Sequence, residues 1–281
     1  MVQVTPTQVQ PLERAIDFRL DVAGAEANVA THLVRAGRHA MWAGAVGNDP
    51  LGRRVLATLG DRGVDTTLVH VDEAAPTGVY FKDPQPDGTR VWYYRQHSAA
   101  SRLGPEFAAS LPLADADLVH VSGINAALSE SNRALLDEVI ALSIRAGVPV
   151  SFDVNFRPAL WSPEVAGPVL YGFAQRCDYV FVGLDEAAVL WGTSDADSIR
   201  DLLAGPGQLV VKDGAVGASA FAGGRRWFIA APAVEVVEPV GAGDAFAGGY
   251  LASVLAGESP EAALERGHEF AAVALTTTAD L

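Results

Sequence analysis

The residues best suited to chemistry lie near the end of the chain, in the segment EPVGAGDAFAGGYLA (238–252). Gly241, Ala242 and Gly243 come directly before an amphipathic helical segment that begins near Asp244. A glycine-rich turn that opens a helix directs unpaired backbone N–H groups, and the positive end of the helix dipole, at one point. Such a point would bind a phosphate or stabilise the charge of a phosphoryl group in transfer.

Asp244 is placed to act as a base in the same segment. The field of the helix favours its carboxylate form, which can still accept the proton of a substrate hydroxyl. An ordinary N-cap aspartate after a glycine turn has the same spacing, so the segment alone leaves both interpretations open. Two other nucleotide sites are excluded, because the chain has neither GxGxxG after an early strand nor the GK[ST] of a Walker A loop.

A second candidate segment, DVAGAEANVATHLVRAG (21–37), opens a helix near the start of the chain. Gly24 and Ala25 permit close approach of the backbone to a ligand. The Asn28 side chain offers both a donor and an acceptor at the helix start. The segment fits a binding site and equally a glycine turn with a capping asparagine.

The elements that position these residues belong to a chain of 281 residues, 49% of them hydrophobic, which suffices for a full core. The formal net charge of −14 disfavours nucleic acid as a partner. Cys177, the single cysteine, excludes an intrachain disulfide and is expected to be a buried structural thiol. No apolar run approaches the ~18 residues of a membrane span. The first residues lack the pattern of a signal peptide. We therefore expect a soluble, cytoplasmic protein without membrane partners.

Strands and helices alternate over most of the chain. Predicted strands lie at 39–47, 116–123, 148–155, 178–183 and 207–214, and predicted helices at 27–37, 50–63, 129–147, 162–176, 244–257 and 259–275. This alternation is typical of an α/β fold with a mainly parallel sheet and helices on both faces.

Two segments, 76–83 and 89–98, have a different pattern, in which aromatic residues alternate with polar or charged ones. The pattern indicates a half-exposed antiparallel ribbon, which 19–24 is expected to join. We predict one domain, 1–281, with a small β-sheet lid formed by inserted segments 12–24 and 76–98. Exposed lid aromatics such as Trp92 favour a homo-oligomer formed through the lid.

Three segments in this order resemble the ribokinase-like (PfkB) carbohydrate kinase family: AGAEANVATHLVRAG, GAVGNDPLGRRVLATLGDRGVDTTLV and VGAGDAFAGGYLA. The resemblance covers nearly the whole chain. Within the family, APTGVYF, RVWYYRQHSAAS and SFDVNFRPALW are similar to 2-keto-3-deoxygluconate kinases. The resemblance implies a three-layer sandwich with a mainly parallel central sheet and a β-sheet lid. It also implies a kinase that uses ATP and Mg²⁺ to phosphorylate a hydroxyl of a sugar acid.

The resemblance assigns roles to individual residues. Asp244 would deprotonate the sugar hydroxyl, and Gly241, Ala242 and Gly243 would form the anion hole for the transferred group. The residues that would hold the sugar acid, together with Asp244, are Gly24, Ala25, Asn28, Tyr80, Tyr93, Tyr94, Arg95 and Arg157. Those that would contact the nucleotide are Asn155, Arg157, Lys212, Gly214, Gly217, Gly241 and Gly243. Glu186 stands where the metal-associated acid of the family lies.

The chemistry of a sugar acid supports two of these assignments independently. An anionic substrate in an acidic protein needs local cations, and the guanidinium fork of Arg95 or Arg157 matches a carboxylate. Tyr93 and Tyr94 point to opposite faces of one strand, so we expect only one of the two side chains to reach the ligand.

The sequence departs from the family pattern at three places. The usual apolar first strand is represented only by MVQVTP, so either the start is misassigned or the innermost strand is shortened. Glu238 and Pro239 precede the turn where Asp and Thr are usual, so the sequence leaves undecided whether a monovalent cation binds there. His268 and Glu269 replace a nucleotide-contacting asparagine, and Asp280 is expected to end a truncated substrate contact.

Two alternatives stay open at this point. A kinase for a neutral sugar, such as fructose or ribose, would not need two arginines at the sugar end of the site. A non-catalytic nucleotide- or sugar-binding regulator is suggested by the altered entry to the glycine turn, but it would have no use for Asp244.

Overall fold

The computed structural model describes residues 1–85 and 88–276. The strands are β1 (Val2–Pro6), β2 (Phe18–Val22), β3 (Gly44–Gly47), β4 (Val69–Asp72), β5 (Val79–Gln85), β6 (Gly88–Tyr94), β7 (Val119–Ser122), β8 (Val150–Asp153), β9 (Tyr179–Gly183), β10 (Gln208–Asp213), β11 (Gly217–Ala222) and β12 (Arg225–Ala230). The α-helices are α1 (Ala25–Arg35), α2 (Pro50–Asp61), α3 (Pro105–Ala109), α4 (Gly123–Leu128), α5 (Glu130–Ala146), α6 (Pro163–Ala174), α7 (Leu184–Trp191), α8 (Ala196–Leu202), α9 (Ala242–Leu255) and α10 (Pro260–Leu275).

The body of the protein is a sheet with the strand order β12-β11-β10-β9-β8-β7. Strands β7 to β10 are parallel, and β11 and β12 continue the sheet as an antiparallel hairpin. Side chains along β9 alternate between two cores: Val180 and Val182 pack with α5 and α6, and Phe181 packs with α9 and α10. Burial on both faces accounts for the continuous apolar runs of these strands and confirms the expected sandwich.

The lid is a second sheet with the strand order β2-β1-β5-β6. Its antiparallel pair β5 and β6 confirms the ribbon expected from the aromatic alternation. Segment 19–24 supplies most of β2, which joins the same sheet as expected, with β1 lying between β2 and β5. The segment MVQVTP is thus a lid strand rather than a shortened innermost strand. Val2 and Val4 bury their side chains in a hydrophobic cluster with residues of α1 and α2, which fixes this placement.

Strands β3 and β4 form a separate parallel pair. The strand expected at 39–47 is shorter than predicted, and β4 and the short helices α3, α4 and α8 were not predicted. Within the described residues, β3 pairs only with β4 and β7 only with β8, so each of these two strands has one edge without a strand partner.

The arrangement of the body strands determines where functional side chains can meet. Parallel strands β8, β9 and β10 end at the same edge of the sheet, next to the start of α9. Ligands of open α/β sheets bind outside these carboxyl ends. Cys177 is buried in the core on the other side, and burial raises the pKa of its thiol to about 12, so it is the structural thiol expected. Among the described residues, no helix is both long and apolar enough to span a bilayer.

Candidate active site

A cavity of about 1560 Å³ lies at the carboxyl edge of the body sheet and beneath the lid. It brings together most of the residues singled out from the sequence: Gly24, Ala25, Asn28, Tyr80, Tyr93, Arg95, Asn155, Arg157, Glu186, Lys212, Gly214, Gly241, Gly243 and Asp244. Tyr94, Gly217 and Ala242 do not line it.

The amino end of α9 faces this cavity. Gly241 caps the helix in the left-handed conformation, with φ of 90°, which a residue with a side chain adopts only with strain. The backbone N–H groups of Gly243 and Asp244 find no hydrogen-bond partner among the described residues. A β-carbon on Gly243 would lie 3.5 Å from the Nζ of Lys212, so an ammonium stands beside the turn. This end of the helix is arranged to receive an anion.

Asp244 is held by a neighbour from the other glycine segment. The Nδ2 of Asn28 donates a hydrogen bond of 2.9 Å to its Oδ2. Burial raises the pKa of Asp244 to about 7; the Asn28 bond opposes this rise, Asp153 adds to it, and Arg157 and Lys212 oppose it. A carboxylate with a pKa near neutrality is suited to accept a proton from a substrate hydroxyl.

Lys212 belongs to a charged cluster beside Asp244. Its Nζ donates a hydrogen bond of 2.9 Å to Asp153 Oδ2. Burial alone would lower the pKa of Lys212, but the carboxylates of Asp153, Glu186 and Asp244 together raise it. Burial raises the pKa of Glu186, which accepts a hydrogen bond from the N–H of Gly183. Lys212 lines the cavity with its ammonium paired to a carboxylate, and its expected contact with a nucleotide stays a prediction.

Arg95 enters the cavity from the lid side. Its guanidinium lies over the ring of Tyr93, 4.5 Å from the centroid. The Nε and Nη2 atoms are buried and have no hydrogen-bond partner among the described residues. Burial lowers the pKa of Arg95, Tyr93 and Glu26 raise it, and the positive charge of Arg157 lowers it further. Arg157 also lines the cavity, with its Nη1 3.9 Å from Glu186 Oε1, and the buried donors of Arg95 are available to a ligand.

The lid tyrosines divide between its two faces, as the strand pattern predicted. Tyr80 is buried and donates a hydrogen bond to Gln3, and its ring lies 5.9 Å from that of Tyr93. Tyr94 is 65% exposed on the outer face, against Phe81. Tyr94 is therefore not placed to contact a ligand in the cavity through its side chain.

Gly217, and the two residues that replace the nucleotide-contacting asparagine of the family, lie outside the cavity. Gly217 packs against β12, where a β-carbon would lie 2.4 Å from the carbonyl oxygen of Ile229. His268 makes a hydrogen bond to the same carbonyl through its Nε2 and contacts the ring of Phe246. Glu269 is exposed on α10. Asp280 lies outside the described residues.

Two carboxylates of the site were missed by the sequence analysis. Asp153, the partner of Lys212, ends β8 in the segment SFDVN. Glu26 lines the cavity and accepts hydrogen bonds from Ser122 Oγ at 2.6 Å and Asn125 Nδ2 at 2.9 Å. Asp153 is the last residue of a strand and Glu26 follows Gly24 by two residues, and these positions are the signals that could have identified them.

The arrangement of these groups narrows the class of protein. A helix terminus that receives an anion, next to a carboxylate that can take a proton, provides what phosphoryl transfer to a hydroxyl requires. A sheet that covers the cavity can exclude water, which would otherwise compete with that hydroxyl. The fold and site are those of a small-molecule kinase.

Comparison with known proteins makes the class specific. The family model described as pfkB family carbohydrate kinase matches residues 1–280, and the chain belongs to this family. A 2-dehydro-3-deoxygluconokinase of Thermoproteus tenax is 37% identical over 94% of this chain and 82% of its own length. The crystal structure of a PfkB protein from Polaromonas sp. JS666 is 33% identical, with a TM-score of 0.90 over 99% of this chain and 94% of that one. A ribokinase II of E. coli in complex with ATP and Mg²⁺ shares the fold, with 22% identity and a TM-score of 0.89 over 100% of this chain and 91% of that one.

Proposed function

We propose that this carbohydrate kinase transfers the γ-phosphoryl group of ATP to a hydroxyl of a 2-keto-3-deoxy sugar acid, with 2-keto-3-deoxygluconate as the best substrate. The observation that carries the proposal is the Arg95 guanidinium, whose buried Nε and Nη2 have no partner among the described residues. A buried donor without a partner is costly, and a substrate carboxylate would satisfy two such donors at once. The name of the Thermoproteus tenax relative supports the same substrate class.

The proposed reaction begins at Asp244. Its carboxylate accepts the proton of the sugar hydroxyl while the hydroxyl oxygen attacks the γ-phosphorus. The bond between that phosphorus and the β–γ bridging oxygen breaks, and ADP leaves with the electron pair. The free N–H groups of Gly243 and Asp244 stabilise the charge on the transferred group. Asn28 holds the carboxylate in position throughout.

The residues around Lys212 fit a magnesium nucleotide. Mg²⁺ is usually bound through substrate phosphates and one or two carboxylates. Within the described residues no group of three or more His, Cys, Asp or Glu is arranged to hold a metal ion by itself. Glu186 and Asp153, which flank Lys212, would supply the protein carboxylates, and Mg²⁺ would neutralise the phosphates. Asn155, whose Oδ1 is buried and without a partner in the described part of the chain, is available to the nucleotide.

The substrate proposal is tested by removing the Arg95 guanidinium. We expect Arg95→Ala to raise the KM for 2-keto-3-deoxygluconate and to lower kcat/KM by a factor that corresponds to about 2–5 kcal/mol of lost binding free energy. The effect on kcat should be smaller, because Arg95 lies on the lid. Arg145→Ala, which removes an exposed arginine of α5, is the matched control and should leave both constants unchanged. Turnover of fructose, measured in the same coupled assay for ADP, should be poor and insensitive to Arg95→Ala. An Arg95→Ala variant with the parent's KM for the sugar acid would contradict the proposal.

The outer face of the lid supports a further proposal, that copies of the chain associate through it. Phe18 and Leu20 of β2, and Trp92 and Tyr94 of β6, are exposed there. Clusters of exposed large apolar side chains on one sheet face commonly mark protein–protein contacts.

A further inference from the structure

A lysine of the lid is buried against the loop that leads into the anion-binding turn. Lys82 follows Tyr80 by two positions on β5, and both side chains face inward. The Nζ of Lys82 donates a hydrogen bond of 2.9 Å to Glu238 Oε2, and the two side chains are 2% and 15% exposed. Glu238 lies only three residues before Gly241, so the ammonium of this lid lysine contacts the loop directly before the glycine turn.

The Glu238 carboxylate also holds the backbone of this loop. Its other oxygen, Oε1, accepts a hydrogen bond of 3.1 Å from the N–H of Val240. Residues 232–239 are mostly exposed, and a second anchor is provided by Leu275, whose carbonyl accepts from the N–H groups of Val237 and Glu238. The Lys82–Glu238 pair is therefore in direct contact with the backbone that leads into α9.

Stability alone is a poor explanation for such a pair. Burying an ammonium and a carboxylate has a desolvation penalty that often equals or exceeds their attraction, and apolar residues of similar volume would pack as well. What apolar residues could not do is bind the backbone of Val240 and respond to the position of the lid at the same time.

We propose that Lys82 is a positioning residue for phosphoryl transfer. Its ammonium, carried by the lid, fixes the Glu238 carboxylate, which in turn fixes the backbone from Val240 to Gly243 in the geometry that receives the transferred group. The lid and the anion hole are thereby coupled, and the anion hole has its functional backbone geometry only when the lid lies over the cavity. The inference rests on the proposed function, because an anion hole matters only where a phosphoryl group is transferred.

The test removes the charge without removing the bulk. Lys82→Met should lower kcat by about 10- to 100-fold, because small displacements of stabilising groups have effects of this size. The dissociation constant of the sugar, measured by calorimetry, should change less than about threefold, because the sugar contacts are untouched. Glu238→Gln, which keeps the volume of the side chain, should have the same effect. The double variant should have the same kcat as either single variant, since each substitution already breaks the Lys82–Glu238 ion pair.

An exposed ion pair on α5 provides the control. Arg145→Met removes the partner of Glu138 at the surface and should leave kcat unchanged. A further readout separates positioning from simple support of the lid: backbone hydrogen exchange of residues 238–244 should rise in Lys82→Met while that of β8 and β9 stays at the parent level.

The outcomes distinguish this inference from the proposed function. The ratio of kcat in the variant to kcat in the parent is measured with whichever sugar the parent phosphorylates. If that sugar is neutral, the substrate proposal is overturned and the test of Lys82 remains valid. A folded Lys82→Met or Glu238→Gln enzyme with kcat within twofold of the parent would overturn the role of Lys82. So would a loss confined to sugar affinity, or unchanged exchange of 238–244 in Lys82→Met. If Lys82→Met fails to fold, Glu238→Gln decides by the same criteria.

Discussion

The contact between Asn28 and Asp244 joins the two glycine segments of the chain. They lie 216 positions apart in sequence and meet through one hydrogen bond of 2.9 Å. Each segment alone was compatible with an ordinary helix cap. Their contact inside a cavity gives Asp244 a partner that orients it and an environment that raises its pKa to about 7. This pair is the chemical centre of the account.

Asp244→Asn is expected to lower kcat by about 10²–10⁴-fold, because asparagine has the size of aspartate and cannot accept the hydroxyl proton. The affinity for ATP, measured by calorimetry, should stay near that of the parent. A variant with near-normal kcat would mean that Asp244 serves only as a helix cap.

The pKa of Asp244 sets a pH dependence for catalysis. The base must be deprotonated, so kcat/KM for the sugar should fall about tenfold per pH unit as the pH drops below about 7. The Asn28 hydrogen bond stabilises the charged form, so its removal in Asn28→Ala should raise the pKa and move this acid limb to higher pH. The pH profile of kcat/KM measures the shift. An acid limb at the same pH in both enzymes would contradict the assigned contact.

At the residue scale, the sequence predicted the groups whose chemistry depends on local pattern and missed those defined by tertiary contact. The glycine turn, Asp244 and Arg95 each stand in a short recognisable segment. Asp153 is a site residue because Lys212, 59 positions away, donates to it. The partner of Glu238 was equally invisible, since Lys82 reaches it only through the packing of the lid on the body.

At the scale of elements, the lid is the part most able to respond to ligands. It supplies Tyr80, Tyr93 and Arg95 to the cavity from strands β5 and β6 and the residue after them. We expect sugar acid to slow backbone hydrogen exchange in β5 and β6, because closure over the substrate excludes water. Mass spectrometry of the parent with and without 2-keto-3-deoxygluconate measures this. Equal exchange in both states would show that the lid does not close on substrate.

We expect copies of the chain to associate through the outer face of the lid. Replacing Trp92 and Tyr94 together by Glu should convert an oligomer of the parent into a monomer, because charges would be buried in the contact. Light scattering after size exclusion measures the mass of both proteins. A monomeric parent, or an oligomer that survives the double substitution, would contradict association through this face.

Elements with strong patterns were predicted well, and those whose place depends on neighbours were not. The alternation in β5 and β6 and the apolar runs of β8 to β10 identified their sheets. The segment MVQVTP has the same short apolar alternation whether it lies in the lid or in the body. Its position next to β2 is fixed by register with Val22 and Leu20, which no local signal shows.

At the scale of the whole molecule, the cavity extends into the gap between β3 and β7. Both strands line it, and each has a hydrogen-bonded neighbour on one side only within the described residues. Met1 lines the same cavity, and β1 leads away from it beside β5. Unpaired strand edges next to apolar helix faces offer a place for one further extended segment.

The gap leads to a prediction about stability. An extended apolar segment of about five residues fused before Met1 should raise Tm by several degrees, since each buried valine contributes about 1.5 kcal/mol or more. A serine–glycine segment of the same length is the control and should leave Tm unchanged. Differential scanning calorimetry compares the two fusions. Equal Tm values would show that the gap does not accept a strand.

The strongly negative net charge of the protein disfavours the binding of an anionic substrate. With a net charge of −14, the attraction for a sugar acid must come from a few local cations, and Arg95 and Arg157, which both line the cavity, are the ones we propose. A neutral sugar could offer the buried Nε and Nη2 of Arg95 only uncharged oxygens, which bind a guanidinium more weakly than a carboxylate does. We therefore expect the protein to select a sugar acid over a neutral sugar.

The most direct test of this claim is the ratio of kcat/KM for 2-keto-3-deoxygluconate to that for fructose, measured on the parent enzyme in a coupled assay for ADP. A buried guanidinium that meets a carboxylate in one substrate and only neutral oxygens in the other is expected to separate the two by at least about 2 kcal/mol, which is a ratio of about 30 or more. Fructose turned over as efficiently as the sugar acid would contradict the account and identify a kinase for neutral sugars.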